Sequence, residues 1–193
     1  MESKSDRLEK LREITLSCQA CPLHESRPHM VFGEGGIDAS VMFVGEGPGA
    51  EEQKAGRPFV GRSGKLLRDM IRAVGIPDDH HYIANVVKDR PPNNRPPEPD
   101  EIVVCSKFLR KQIEIIQPKL LVLLGKTAVK GICPDREKES IEKLRSLKGL
   151  LHYEGIPVVV TYHPSALLRT PWRKIAARED FLFIQQIYQQ DIP

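Results

Sequence analysis

A chain of 193 residues is long enough for one domain with a sizeable core and short for two, so one site is expected. Hydrophobic residues at 40% and charged residues at 28% exclude an intrinsically disordered chain. A formal charge of +3 permits nucleic acid as a partner without demanding it, so local clusters of charge have to decide.

At the N-terminus, MESKSDRLEKLREITLS alternates charged and apolar residues at helical spacing. It predicts a helix from a Ser5 or Asp6 N-cap to about Leu16, with Leu8, Leu11 and Ile14 on one face. The stretch has no apolar core of signal-peptide length, and no run in the chain approaches 18 apolar residues. A cytoplasmic, intracellular protein with no membrane association is therefore expected. Cys18 and Cys21 follow at C-x-x-C spacing. In a reducing compartment, four cysteines point to metal, cluster or redox chemistry rather than to a disulfide framework.

Four short apolar runs predict core strands, at Val41–Val44, Tyr82–Val87, Leu120–Leu124 and Val158–Tyr162. Between them, Ser63–Val74 predicts a helix with Leu66, Leu67, Met70, Ile71 and Val74 inward and Gly75 as its stop. Asp100–Gln117 predicts another, bounded by Pro99 and Pro118. Leu150–Tyr153 followed by Glu154-Gly155 suggests a local hairpin, and Arg173–Gln190 a closing helix. The alternation predicts the α/β class, as a single-domain three-layer α/β/α sandwich over residues 1–193 with a central, mainly parallel four-stranded sheet.

In such sheets ligands sit beyond the carboxyl ends of the strands. That rule selects Gly45–Glu52, Asn85–Arg95, Gly125–Thr127 and His163–Arg169. In VGEGPGAEEQKAGRPFVGRSG, glycines 45, 47 and 49 let the backbone approach a ligand, and Glu46 and Glu52 both lie near the turn. The segment matches neither a Walker loop nor G-x-G-x-x-G. Phe59 reads either as a core aromatic or as a platform for stacking a base. In IANVVKDRPPNNRPPEP, Asn85 is costly to bury without partners, and its amide can read the edge of a base; a structural strand-end asparagine is the alternative. Lys88, Arg90 and Arg95 around a stiff proline run read as a phosphate-facing loop or as a solvated one. In TYHPSALLR, His163 can donate to a developing oxyanion while Leu167 and Leu168 form an apolar wedge; a buried histidine before a helix-starting leucine pair is the alternative.

Together, CQACPLHESRPHMVFGEGG, GEGPGAEEQKAGRPFVGRSG, YIANVVK-x-RPPNNRPPEPDEI, QPKLLVLLG and YHPSALLR resemble, in order and spacing, the family 4 uracil-DNA glycosylases. These are an iron–sulfur branch of the uracil-DNA glycosylase superfamily, and the resemblance covers about residues 8–190. It implies a DNA repair enzyme that flips uracil out of single- or double-stranded DNA and hydrolyses its N-glycosidic bond. Phe59 would stack on the uracil, Asn85 would bond its Watson–Crick edge, and His163 would donate towards its O2. Glu46 would orient the attacking water or stabilise cationic character at the sugar, with Glu52 a second acidic candidate. Gly47, beside the uracil, stands where some related glycosylases carry a catalytic aspartate. Leu167 and Leu168 would fill the vacated stack, and Arg169, Arg90 and Arg95 would meet DNA.

The resemblance also implies a 4Fe-4S cluster whose ligands here read Cys18, Cys21, Asp89 and Cys105. The third is an aspartate where the family usually has a cysteine. Asp89 would ligate iron through oxygen; a three-iron cluster or loss of the cluster is the alternative, and three thiolates with a carboxylate would also suit zinc. Cys133 lies outside the pattern and reads as a small buried residue. A monomer is expected. Rival functions are a uracil-DNA or single-strand binding iron–sulfur protein with little or no turnover, and a thiol-exchange protein built on C-x-x-C.

Overall fold

The computed structural model describes residues 2–191; the outer bounds of the expected domain, 1 and 193, lie outside that range. Helix α1 (Lys4–Leu16) begins earlier than expected, because Ser3 is its cap. The Ser3 hydroxyl accepts the Asp6 N–H at 3.1 Å and the Asp6 carboxylate accepts the Ser3 N–H at 3.3 Å, a reciprocal capping box. Leu11 is buried as expected, but Ile14 is exposed.

The sheet has six strands in the order β1-β3-β2-β4-β6-β5, which corrects the expected four. Its centre is the expected parallel set: β2 (Val41–Gly45), β3 (His81–Asn85), β4 (Leu120–Leu124) and β6 (Ile156–Thr161). Two antiparallel edge strands widen it, β1 (Glu34–Gly35) on β3 and β5 (Leu151–Tyr153) on β6. A two-residue strand has no periodicity to read, so β1 left no signal in the sequence. The β5–β6 turn is the expected hairpin, with Glu154 and Gly155 both at positive φ, the requirement of a tight two-residue loop.

Period-two alternation places two cores on opposite faces of the sheet. Met42, Val44, Leu121 and Leu123 pack with Leu11, with Leu109 and Ile113 of α4 (Pro99–Ile116) and with Val129 of α5 (Lys126–Ile132). Val41, Phe43, Leu120 and Val122 pack with Leu67 and Ile71 of α3 (Arg62–Ala73) and with Phe181 and Ile184 of α8 (Arg173–Asp191). This is the expected three-layer sandwich. Short helices α2 (Ala50–Ala55), α6 (Ile141–Ser146) and α7 (Pro164–Arg169) complete it. No described helix is long and apolar enough to cross a membrane.

Register brings the functional segments level. Gly45 pairs with Asn85, Val44 with Leu123, and Leu124 with Thr161, so four connections leave the sheet at one edge.

Candidate active site

A cavity of about 530 Å³ opens at that edge, lined among others by Glu46, Phe59, Asn85, Thr127, His163 and Arg169. The sequence-selected segments after β2, β3, β4 and β6 therefore converge on one place, as the strand-end rule predicts.

Asn85 is only 2% exposed, and its side-chain oxygen is buried without a hydrogen-bond partner. Such a group costs roughly 1–3 kcal/mol unless something completes it. Gly45 explains how it reaches the cavity: a Cβ on Gly45 would overlap the Asn85 oxygen and stand 2.6 Å from Phe59 Cζ. Glycine at 45 thus lets two neighbouring side chains meet, a role beyond the backbone approach to a ligand expected for it. Gly47 also lines the cavity, where a Cβ would come within 2.7 Å of Val87.

Phe59 holds φ at 52°, a left-handed conformation that is an outlier for a bulky residue. Three neighbours enforce it. Glu52 Oε1 accepts the N–H groups of Val60 (2.9 Å) and Gly61 (2.8 Å), while Oε2 accepts that of Gly49 (3.1 Å). Arg68 donates to the carbonyls of Phe59 (3.2 Å) and Pro58 (3.0 Å). Gly64 has no side chain because a Cβ there would overlap the Phe59 backbone. The ring stands in the cavity wall, 5.7 Å from the His163 ring. Glu52, one of the two acidic candidates, has both carboxylate oxygens committed to this loop.

His163 caps α7. Its Nδ1 accepts the Ser165 N–H at 3.2 Å and lies 2.8 Å from the Ser165 hydroxyl, so the neutral ring carries its proton on Nε2. Desolvation, reinforced by the Arg169 cation, pushes its pKa down to about 4. The imidazole is thus a neutral donor at physiological pH. Glu46 receives a hydrogen bond from the Thr127 hydroxyl, which fixes one of its oxygens. Thr127 and Ser165 lie within the strand-end segments selected from the sequence, Gly125–Thr127 and His163–Arg169, but were not singled out there; the signal was their place three residues past Leu124 and two past His163.

At the rim the structure revises several expectations. Leu167 is 1% exposed and packs with Tyr162 and Ala177, so Leu168, at 37%, is the one leucine of the pair that faces outward. The two are adjacent on a helix, about 100° apart, and cannot share a face. Lys88 is fully buried rather than phosphate-facing: its ammonium donates to Asn85 O (2.9 Å) and Gln112 Oε1 (2.6 Å). Arg95 lines the cavity with its guanidinium engaged by the buried Glu101 carboxylate at 2.8 and 2.7 Å. Arg90 donates to Asn94 (2.7 Å), and Arg169 is exposed at the cavity.

A second, small cavity behind the sheet edge is lined by Cys18, Cys21, Asp89 and Cys105 together with Arg27 and Lys88. The four expected ligands are therefore brought together, while Cys133 is buried in the core. Among the described residues, no three such side chains close on a single point as one metal ion requires. Three thiols and a carboxylate lining one small cavity are donors that an iron–sulfur cluster can use. The Lys88 N–H donates to Cys105 Sγ at 3.2 Å, and the Arg27 guanidinium supplies positive charge beside the thiols, while burial lowers the pKa of the Lys88 ammonium to about 7. Asp89 pairs with Arg27 through both oxygens, at 2.7 and 2.6 Å; an ionised carboxylate has about four lone-pair sites, so two stay open to a metal. The donor set fits. Burial pushes the Cys105 thiol up to about 11 and the Cys21 thiol up as well, the opposite of what thiol exchange needs.

Residues 32–183 match the family described as the Uracil DNA glycosylase superfamily. A type-4 uracil-DNA glycosylase of Thermotoga maritima is 48% identical over 169 residues, spanning 88% of this chain and 87% of that protein. Another, of Sulfurisphaera tokodaii, is 46% identical over 187 residues, 94% of this chain and 85% of its own length. A third, of Archaeoglobus fulgidus, is 38% identical over 191 residues, 97% and 94%. A fold, a strand-edge cavity and a cysteine cavity of this kind, with likeness of that extent, place the chain in the Uracil DNA glycosylase superfamily, in its type-4 branch.

Proposed function

We propose that the cavity receives a uracil flipped out of DNA and that the chain hydrolyses its N-glycosidic bond, leaving an abasic site, as a monomeric intracellular repair enzyme. The observation that carries this reading is the buried, unpartnered Asn85 oxygen in the cavity wall. It is an acceptor awaiting a donor, and the imide N–H of uracil is one. Phe59 stacks on the base, and Gly47 leaves room beside it. The His163 Nε2 proton points to the uracil O2, where negative charge gathers as the bond to the sugar breaks.

Electrostatic preorganisation supplies most of the catalysis when the base departs largely before water attacks. A neutral His163 donor needs no proton exchange with solvent to do this. Glu46, held by Thr127, orients the water that adds to the sugar carbon or stabilises the cationic sugar. Glu52 braces Phe59 and leaves the acidic role to Glu46. Extruding the base costs a few kcal/mol of unstacking; Leu168 fills the gap, and Arg169 and Arg90 neutralise phosphates, with Arg95 contributing at the rim. Cys18, Cys21 and Cys105 would hold an iron–sulfur cluster, with an Asp89 oxygen as fourth ligand to a 4Fe-4S core, and its contribution is a structural cross-link.

The test is release of free uracil from single-stranded, U:G and U:A oligonucleotides by anaerobically purified protein, beside Asn85→Ala and His163→Ala. Release by the wild type and strong loss in both variants is the expected result. Binding of the DNA by cluster-loaded wild type with no free uracil would overturn it in favour of a binding protein without turnover.

A further inference from the structure

Beyond the cavity, the turn from α7 into α8 carries three large apolar side chains in water: Leu168, Trp172 at 66% exposure and Ile175 at 72%. Trp172 is the only tryptophan in the chain. An indole left in solvent contributes nothing to the core, yet this one is held in place. The turn is tied by backbone hydrogen bonds from Thr170 to Ala166 (2.9 Å), Arg173 to Thr170 (3.1 Å) and Lys174 to Pro171 (3.0 Å). The Arg173 guanidinium lies 5.4 Å from the Trp172 ring and 5.0 Å from that of Tyr162, the residue before His163. Its Nε is buried with no hydrogen-bond partner, so its position answers to the two rings.

The segment that carries the indole is basic along the sequence. Residues 163–178 hold Arg169, Arg173, Lys174 and Arg178 and no aspartate or glutamate. Arg169, three residues before the tryptophan, lines the cavity itself, so the basic, aromatic turn continues the proposed DNA face. A rigid aromatic set among cations is the arrangement that binds single-stranded nucleic acid, with the base on the ring and phosphates on the cations. The cations between the apolar residues complement a phosphate backbone running past the ring.

We propose that Trp172 is a stacking platform for an unpaired base of the DNA strand that carries the target uracil, with Arg173 holding the indole in place. The proposal rests on the reading of the cavity as a uracil pocket, and it adds a specificity for strand regions whose neighbouring bases are free to unstack.

The single tryptophan is its own probe. Its emission is followed while an oligonucleotide bearing a stable abasic-site analogue is titrated in, single-stranded or paired, with binding measured in parallel by anisotropy of a dye on the DNA. Saturable quenching that tracks the anisotropy is expected with the single strand and is weaker with the duplex. Trp172→Ala should weaken single-strand binding about tenfold or more and raise KM for uracil release by more than it lowers kcat, while Trp172→Phe should recover most of both. Unchanged emission at full binding, or equal affinity of Trp172→Ala and wild type, would overturn the proposal, as would a role for the patch in self-association shown by sedimentation. The two readings fail separately. Uracil release with a silent tryptophan removes the platform alone, whereas quenching without release removes the glycosylase reading and leaves a single-strand stacking site.

Discussion

Asn85 is the residue at which stability and function pull apart. Its side-chain oxygen lies buried with no protein hydrogen-bond partner among the described residues, and in the proposed reading the uracil imide N–H supplies one. Asn85→Ala is accordingly expected to lower uracil release about 30- to 100-fold, the equivalent of losing a hydrogen bond worth roughly 2–3 kcal/mol. Thermal melting of the variant should show no fall in Tm, and a large fall would mean that the amide is structural. His163 makes the second residue-scale prediction. Its folded pKa, about 4, lies below the unfolded value near 6.5. Between those values the unfolded chain binds the extra proton, so this group makes stability fall as pH drops from about 6.5 to about 4. Urea midpoints across that window should decline more steeply in wild type than in His163→Asn. The acid limb of wild-type turnover is expected near pH 4 rather than 6.5, and a midpoint near 6.5 would mean that the ring is solvated.

At the scale of elements, α3 shows which of two effects wins. Helix propensity alone says that Gly64→Ala should stabilise by about 1 kcal/mol. The added Cβ would overlap the backbone of Phe59, which is already held at φ 52° by Glu52 and Arg68. Backbone cannot step aside as a side-chain tip can, so Gly64→Ala is expected to cost about 2 kcal/mol or more, the range of an overpacked core. A denaturant titration would read this, and uracil release should fall in parallel as the ring shifts; a rise in stability would show the loop to be slack. The same logic separates Leu167 from Leu168. Residue type made them a pair, and the turn of one helix sends one into the core and the other to solvent.

For the molecule as a whole, the cysteine cavity joins parts that are distant in sequence: the segment after α1, the segment after β3, and α4. Arg27 adds to the joint, donating to Leu16 O and Cys18 O at 2.8 Å while it grips Asp89. In the proposed reading a cluster held there cross-links these parts, which would stabilise by roughly 2–4 kcal/mol by analogy with a disulfide. Removing iron with a chelator is therefore expected to lower Tm by about 5–15 °C, with proteolysis opening first in residues 17–33. An unchanged Tm after verified iron loss would show that the joint stands on its packing and on Arg27 alone.

The strong apolar runs, the proline and glycine stops and the strand-end motifs carried the layer order, the central strands and the location of the site, because period and turn chemistry are local properties of the chain. Asn85, Glu46 and His163 were legible for the same reason, as polar residues at or just past the end of a strand, whereas Phe59, in the loop between α2 and α3, read equally as a core aromatic apart from the family resemblance. What the sequence left open depends on who the neighbours are. Whether Glu52 faces a substrate or three backbone amides, whether Lys88 meets phosphate or Gln112, and whether Arg95 is free or held by Glu101 follow from contacts between segments. The edge strand β1 exists only because a formed sheet offers it a partner. Local propensity acts within a few residues, whereas burial and pairing are settled when distant segments meet. The chain by itself determined which residues would reach the strand ends, and only the tertiary structure decided which of them are left with an unmet bond to offer a ligand.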